Sequence, residues 1–321
     1  MESFVEALAH RILLFDGAMG TQIQDREPEP GDFPDSKDGF NDGLALTRPE
    51  WIKEIHRSYL DAGADCIETN SFGSNTVKLD EYGFGNRTAQ FNKTVARLAR
   101  EVCDEYTDRR RYAVGTMGPT GYLPSTNDAD LGLMPLDQIS DAFRLQAEGL
   151  IAGGVDALLI ETSQDILEVK LAIEGAGQGM HNAGRAVPLI ANITLAQTST
   201  MLLGTPAQAA YTTVSGMGIN AFGINCSTGP REMEPAVRWL NEEGRHPILV
   251  VPNAGIPEND GGRALYKMGP REMASALDGF LGKYENVRVV GGCCGTGPDH
   301  IRAMRKIVDA HTPDTSQIRN A

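Results

Sequence analysis

The sequence of 321 residues is short of several things. No apolar run approaches the ~18 residues that cross a bilayer, so no membrane span is expected. The first residues, Met1-Glu2-Ser3-Phe4-Val5-Glu6, are acidic and lack the basic and apolar stretches of a signal peptide. A cytoplasmic location follows as the expectation. Cysteines number only five, an odd count that speaks against a disulfide framework and for metal binding or catalysis. Lys and Arg, 29 together, are outnumbered by 43 Asp and Glu, leaving a net charge of -14. Basic stripes for a phosphate backbone are missing, so nucleic acid is excluded as a partner. The six histidines show no metal-ligand spacing. No Gly-x-Gly-x-x-Gly follows the first apolar run, as a dinucleotide fold would require.

What is present is rhythm. Eight short apolar runs recur: Ile12–Phe15, Cys66–Ile67, Tyr112–Val114, Ala157–Ile160, Leu189–Ile193, Phe222–Ile224, Ile248–Val251 and Val287–Val290. Helical patterns lie between them, over Pro49–Ala62 (with Thr47 as a cap), Ala89–Tyr106, Leu136–Ala152, Ile166–Gly175, Ala207–Gly216, Arg231–Glu243, Arg271–Tyr284 and Asp299–His311. Pro206, Pro230, Pro270 and Pro298 sit where helices begin. Strands alternating with helices imply a parallel sheet. Eight units without a break in composition imply one α/β domain over 1–321, a single (β/α)8 TIM barrel with its core at about 10–310. The acidic, proline-bearing segment Asp25–Asp42 is expected as an extended loop after strand 1, at the rim or as a lid, and 312–321 as a polar tail.

Polar residues cluster just past the strands, which in a closed barrel puts them at one mouth. Near the C-terminus stands Gly291-Gly292-Cys293-Cys294-Gly295-Thr296. Two adjacent thiols fenced by glycines admit three readings: a small buried pair, a strained vicinal disulfide or a two-thiolate claw. Cys226 ends the sixth run, two units earlier, so a barrel lets it converge with Cys293 and Cys294. Three thiolates suit a tetrahedral Zn²⁺ and leave a fourth position open. Asn253, between them, has an amide oxygen that can fill that position or can simply organise its turn. Glu161 and Asp16 are expected at the mouth, where a buried carboxylate wants a cationic partner such as a substrate ammonium. Gly17, Met19 and Gly20 accompany Asp16, with the glycines permitting close approach of a ligand. Thr69, Asn70 and Ser71 offer hydroxyls and backbone N–H groups to a carboxylate. Cys66 and Cys103 are expected in the core.

These residues resemble the homocysteine S-methyltransferase family. The resemblance is carried by Asp16-Gly17-Ala18-Met19-Gly20-Thr21, by Ile67-Glu68-Thr69-Asn70-Ser71-Phe72, by Asn225-Cys226 with Gly229-Pro230, by Pro252-Asn253-Ala254-Gly255 and by the double-cysteine motif. It is closest to the homocysteine-binding barrel of cobalamin-dependent methionine synthases and covers roughly 10–310. The resemblance implies a zinc ion on Cys226, Cys293 and Cys294, homocysteine held near Asp16, Thr69–Ser71 and Glu161, and methylation of its zinc-bound thiolate to methionine. It implies no side-chain base beyond the zinc site. Because the sequence stops soon after its eighth unit, the methyl donor is expected from elsewhere. A separate corrinoid or folate-binding donor protein is one source, and a small molecule such as betaine or S-methylmethionine is another. A non-catalytic thiol- and zinc-binding subunit is the competing expectation.

Overall fold

A computed structural model describes residues 2–261 and 263–311. The polar tail expected over 312–321 lies outside them. Eight parallel strands form one sheet: β1 (Leu13–Leu14), β2 (Cys66–Glu68), β3 (Tyr112–Met117), β4 (Ala157–Ser163), β5 (Leu189–Ile193), β6 (Ala221–Asn225), β7 (Ile248–Val251) and, after a small hairpin of β8 (Glu258–Asp260) and β9 (Arg263–Leu265), β10 (Val287–Val290). Their order runs β1-β10-β7-β6-β5-β4-β3-β2. A parallel bridge from Phe15 to Cys66 joins β1 to β2 and closes the ring. This is a (β/α)8 barrel, as the strand-helix rhythm implies.

The helices are α1 (Phe4–His10), α2 (Met19–Gln24), α3 (Leu44–Thr47), α4 (Pro49–Asp61), α5 (Thr76–Glu81), α6 (Thr88–Asp104), α7 (Leu136–Gly153), α8 (Ile166–Ala183), α9 (Ala207–Val214), α10 (Pro230–Glu243), α11 (Pro270–Lys283) and α12 (Pro298–Ala310). The barrel interior and the strand-helix layer form two separate apolar clusters. Leu13, Phe15, Cys66, Tyr112, Leu159 and Val289 fill the interior, while Leu14, Ile67 and Ala113 face outward to the helices. Period-two alternation along each strand produces the split. Phe4, Ala7 and Leu8 of α1 belong to the inner cluster, so the short N-terminal helix plugs the bottom. The Ser3–Glu6 capping box starts that helix.

The bottom is also clasped by charge. Asp65, 1% exposed, meets Arg11, Arg109 and Arg305 at 2.8–3.2 Å and accepts the Leu14 N–H.

Four expectations change in detail. α8 continues past Gly175 to Ala183, because Gly175 lies against α7: a Cβ there would stand 2.3 Å from the Ser140 carbonyl oxygen. The glycine therefore serves helix-helix approach and does not end the helix. Thr47 does not cap α4; Arg48 holds that position, without a side-chain cap, and Pro49 follows. The segment after strand 1 is not a plain extended loop. α2 opens it, and three 3-10 turns then fold Asp25–Asp42 down through Phe33 and Phe40. Phe40 stacks on Tyr82 with ring centres 4.3 Å apart, so the segment is a packed part of the rim. Finally, the hairpin β8–β9 after β7 is absent from the sequence reading.

Candidate active site

Each strand delivers its groups to the mouth by the same rule. Cys66 points inward, so Glu68, two residues on, points the same way at the strand's end. Asp16 follows β1, Glu161 lies near the end of β4, Asn225 ends β6 with Cys226 beyond it, and Cys293–Cys294 follow β10. Asp16, Glu68, Glu161, Cys226, Cys293 and Cys294 line a cavity of about 280 Å³, whose wall also includes Gly17, Met19, Gly20, Thr69 and Asn70, while Asn225 is fully buried outside that lining.

Three thiols stand together on this wall. Cys226, Cys293 and Cys294 are free cysteines, and their sulfurs all lie within 4.8 Å of one another. Cys294 Sγ is 3.9 Å from both Cys226 Sγ and Cys293 Sγ. A tetrahedral zinc with bonds of ~2.3 Å separates its sulfur ligands by about 3.8 Å. The donor set therefore fits zinc in chemistry and in spacing.

The doublet is held by backbone: Cys293 N–H donates to the Pro252 carbonyl (2.8 Å), Ala254 N–H to that of Cys294 (2.9 Å), and Thr296 Oγ1 to that of Cys293 (2.6 Å). Gly295 has φ +77°, and a Cβ there would meet the Tyr266 ring at 2.3 Å. Cys226 and Ser227 both take left-handed backbone, at φ 61° and 62°. Such geometry costs about 1–2 kcal/mol per non-glycine residue and persists only where neighbours impose it. Hydrogen bonds from Cys226 and Cys293 lower the Cys294 thiol to about 3. Contacts with Cys226 and Cys294 push the Cys293 thiol well up, and for Cys226 the lowering effect of Cys293 is outweighed by the Cys294 contact and burial, which push it up to about 12. Three such thiols ionise together only around a cation.

Three carboxylates converge on the same cavity. Burial, then the charge of Glu68, raises Asp16 well above the usual range. Burial raises Glu68 to about 7. Burial, then Glu68 and Asp16, raises Glu161 strongly. Glu68 N–H donates to Asp16 Oδ2 at 3.1 Å, and Asn225 Nδ2 donates to Glu161 Oε2 at 2.9 Å. No Lys, Arg or His lines this cavity among the described residues. The cluster is thus short of positive charge. Glu68 was not singled out from the sequence, although its place two residues after an inward-facing strand residue is a legible signal.

Two expected site residues stand elsewhere. Asn253 does not reach the cavity: its Oδ1 accepts the Cys294 N–H at 3.0 Å, and its own N–H donates to the Thr228 carbonyl. That hydrogen bond braces the cysteine turn. Ser71 is fully buried, with its hydroxyl donated to the Thr116 carbonyl (2.7 Å) and 2.6 Å from Thr69 Oγ1. It shapes the wall from behind. Asn70 lines the cavity, with Nδ2 bound to the Asn41 carbonyl at 3.0 Å. Cys66 and Cys103 are core residues, as expected. His300 contacts no thiol; its ring accepts from Gly297 N–H and meets the Met268 carbonyl.

A barrel with three convergent thiols at its mouth defines a class, and comparison with known proteins agrees. The family profile described as homocysteine S-methyltransferase matches residues 13–308, and the chain belongs to that family. It is 42% identical over 306 residues to a methionine synthase of Mycobacterium leprae (strain TN), and 41% identical to that of Mycobacterium tuberculosis (strain ATCC 25618 / H37Rv). Each match covers 95% of this chain and 25% of the relative, so the chain spans about a quarter of the length of these curated relatives. The homocysteine methyltransferase MmuM from Escherichia coli superposes at TM-score 0.69 in its oxidized and metallated forms, with 22% identity and 92% of this chain covered, as are 95% and 96% of the MmuM chains. That likeness speaks for the fold. No described helix is long and apolar enough to cross a membrane.

Proposed function

We propose that this barrel binds homocysteine and accepts a methyl group onto its sulfur, forming methionine. The observation that carries the reading is the cavity's lining: a zinc-shaped set of thiols together with three carboxylates and no cationic side chain among the described residues. Cys226, Cys293 and Cys294 are the residues that would hold zinc. Zinc so bound supplies a fourth position in which a substrate thiol, with a pKa near ~8.5 when free, is deprotonated at neutral pH. Asp16, Glu68 and Glu161 take the substrate ammonium, whose charge relieves the cost of ionising three buried carboxylates. Gly17, Met19, Gly20, Thr69 and Asn70 form the wall around the rest of the amino acid. In the transfer a carbon–sulfur bond forms, the bond from methyl to donor breaks, and its electron pair leaves with the donor. No side-chain base is needed at that step.

The donor we favour is a methyl-corrinoid carried on a protein, with a folate-binding carrier as the alternative. The methionine synthase relatives support this, and so does the rim. Among the described residues the exposed large apolar side chains are Val5 and nine on the mouth side, Phe72, Leu133 and Leu202 among them. An apolar rim round a small cavity suits a large carrier resting on top.

The test is zinc-loaded protein with homocysteine and, in turn, methylcobalamin, betaine and S-methylmethionine, with methionine read by mass spectrometry. Methionine from the corrinoid supports the whole reading, and methionine from another donor moves only the donor. Homocysteine binding without product from any free donor points to a barrel that works only with its carrier. Absence of homocysteine binding by calorimetry overturns the proposal.

A further inference from the structure

Asn225 carries hydrogen bonds that the lining of the cavity does not account for. Its side chain is fully buried. Nδ2 donates to Glu161 Oε2 at 2.9 Å and to Thr162 Oγ1 at 2.8 Å, while Oδ1 accepts the Thr162 N–H at 2.9 Å. One amide therefore grips two consecutive residues of β4, reaching across β5, which lies between β4 and β6. Thr162 is β-branched and sits at φ 58°, a region such residues rarely visit. The next residue after Asn225 is Cys226, itself at φ 61°. The backbone of Asn225 is fixed as well, since Thr194 Oγ1 donates to its carbonyl at 2.9 Å. Thr162, within β4, and Cys226, just past the end of β6, are thus tied to one another through Asn225. Thr162 follows Glu161 in the chain, and Cys226 bears a thiol.

We propose that Asn225 is a positioning residue: it aims the Cys226 sulfur at the metal and ties that aim to Glu161 in the same cavity. It touches neither metal nor substrate. The inference rests on reading the three thiols as a metal site, and it is independent of the acceptor and the donor. Its physical basis is that a ligand held in a strained backbone keeps its direction only while neighbouring bonds enforce it, and outer partners of metal ligands typically govern 10–100-fold in affinity.

The experiment uses the full chain with zinc and cobalt alone. Zinc affinity is read by competition with a chromophoric chelator, and Co²⁺ substitution reports thiolate ligation through its sulfur-to-cobalt charge-transfer band. For Asn225→Ala we expect zinc affinity to fall about 10–100-fold and the band to weaken as Cys226 drops away. Thr162→Ala removes one half-buried hydroxyl, keeps the fold, and is expected to cost about fivefold, the equivalent of one hydrogen bond. A lower melting temperature with zinc affinity and cobalt band unchanged in both variants shows a merely structural role and overturns the proposal. Should Asn225→Ala not fold, Thr162→Ala decides alone: affinity within twofold of wild type sinks it. Wild-type protein that takes up neither metal overturns the metal reading, and this inference with it. A wild type that takes up metal but binds no homocysteine leaves it standing while the proposed function falls.

Discussion

The sulfurs of Cys226 and Cys294 lie 3.9 Å apart, although 68 positions separate the two residues. The sheet order β10-β7-β6 brings the ends of β6 and β10 to the same edge of the mouth, with β7 between them. The convergence makes metal content the first quantity to measure. Protein purified under reducing conditions is expected to hold close to one zinc per chain by atomic emission. Cys226→Ala, Cys293→Ala and Cys294→Ala should each lose most of that metal and, with it, methionine formation. Full turnover in all three variants would falsify the zinc-thiolate reading.

Burial of Glu68 gives a pH signature. Its carboxyl rises from 4.5 to about 7 in the folded chain, so the folded state holds its proton more tightly than the unfolded state does. The resulting penalty is absent below pH ~4.5, grows as pH rises, and is complete above about 7. On that shift it amounts to about 3 kcal/mol at most. Glu68→Gln should therefore be more stable than wild type at pH 8 and gain little at pH 4.5, as read by urea unfolding of the metal-free protein. It should also bind homocysteine more weakly. Equal pH dependence in variant and wild type would remove Glu68 from the cluster's titration.

Asn253→Ala separates an organiser from a ligand. The variant loses the acceptor for the Cys294 N–H, worth about 1 kcal/mol, and zinc should bind more loosely while the cobalt spectrum still shows three thiolates. A cobalt spectrum with altered coordination in the substrate-free state would restore Asn253 as a fourth ligand.

Gly295→Ala tests the turn. An added methyl would meet both the Tyr266 ring and a left-handed backbone, so a loss of about 2 kcal/mol or more is expected, with metal binding impaired. Gly177→Ala, on an α8 face with open space around it, should be neutral or stabilising. Thermal melts of the two variants give the comparison.

Local signals in the sequence settled a good deal. Apolar runs with helical stretches between them specify eight strand-helix units, because period-two and period-3.6 burial leave different marks. The double cysteine, its distant partner Cys226 and the acidic strand ends are legible because residues beyond a barrel strand must reach the mouth. The tertiary structure decided what depends on exact neighbours. Whether a glycine ends a helix or lets two helices touch, as at Gly175, depends on what lies opposite. Whether Asn253 and Ser71 face the cavity or brace it from behind depends on which donors and acceptors lie within 3 Å. Glu68 belongs to the carboxylate cluster because strand register sets it beside Asp16. The role of Asn225 is decided the same way, since a side chain that bridges β6 and β4 across β5 has no signature within either strand. Sequence fixes the periodicity of burial, while contacts across strands arise only once the strands take their places in the sheet.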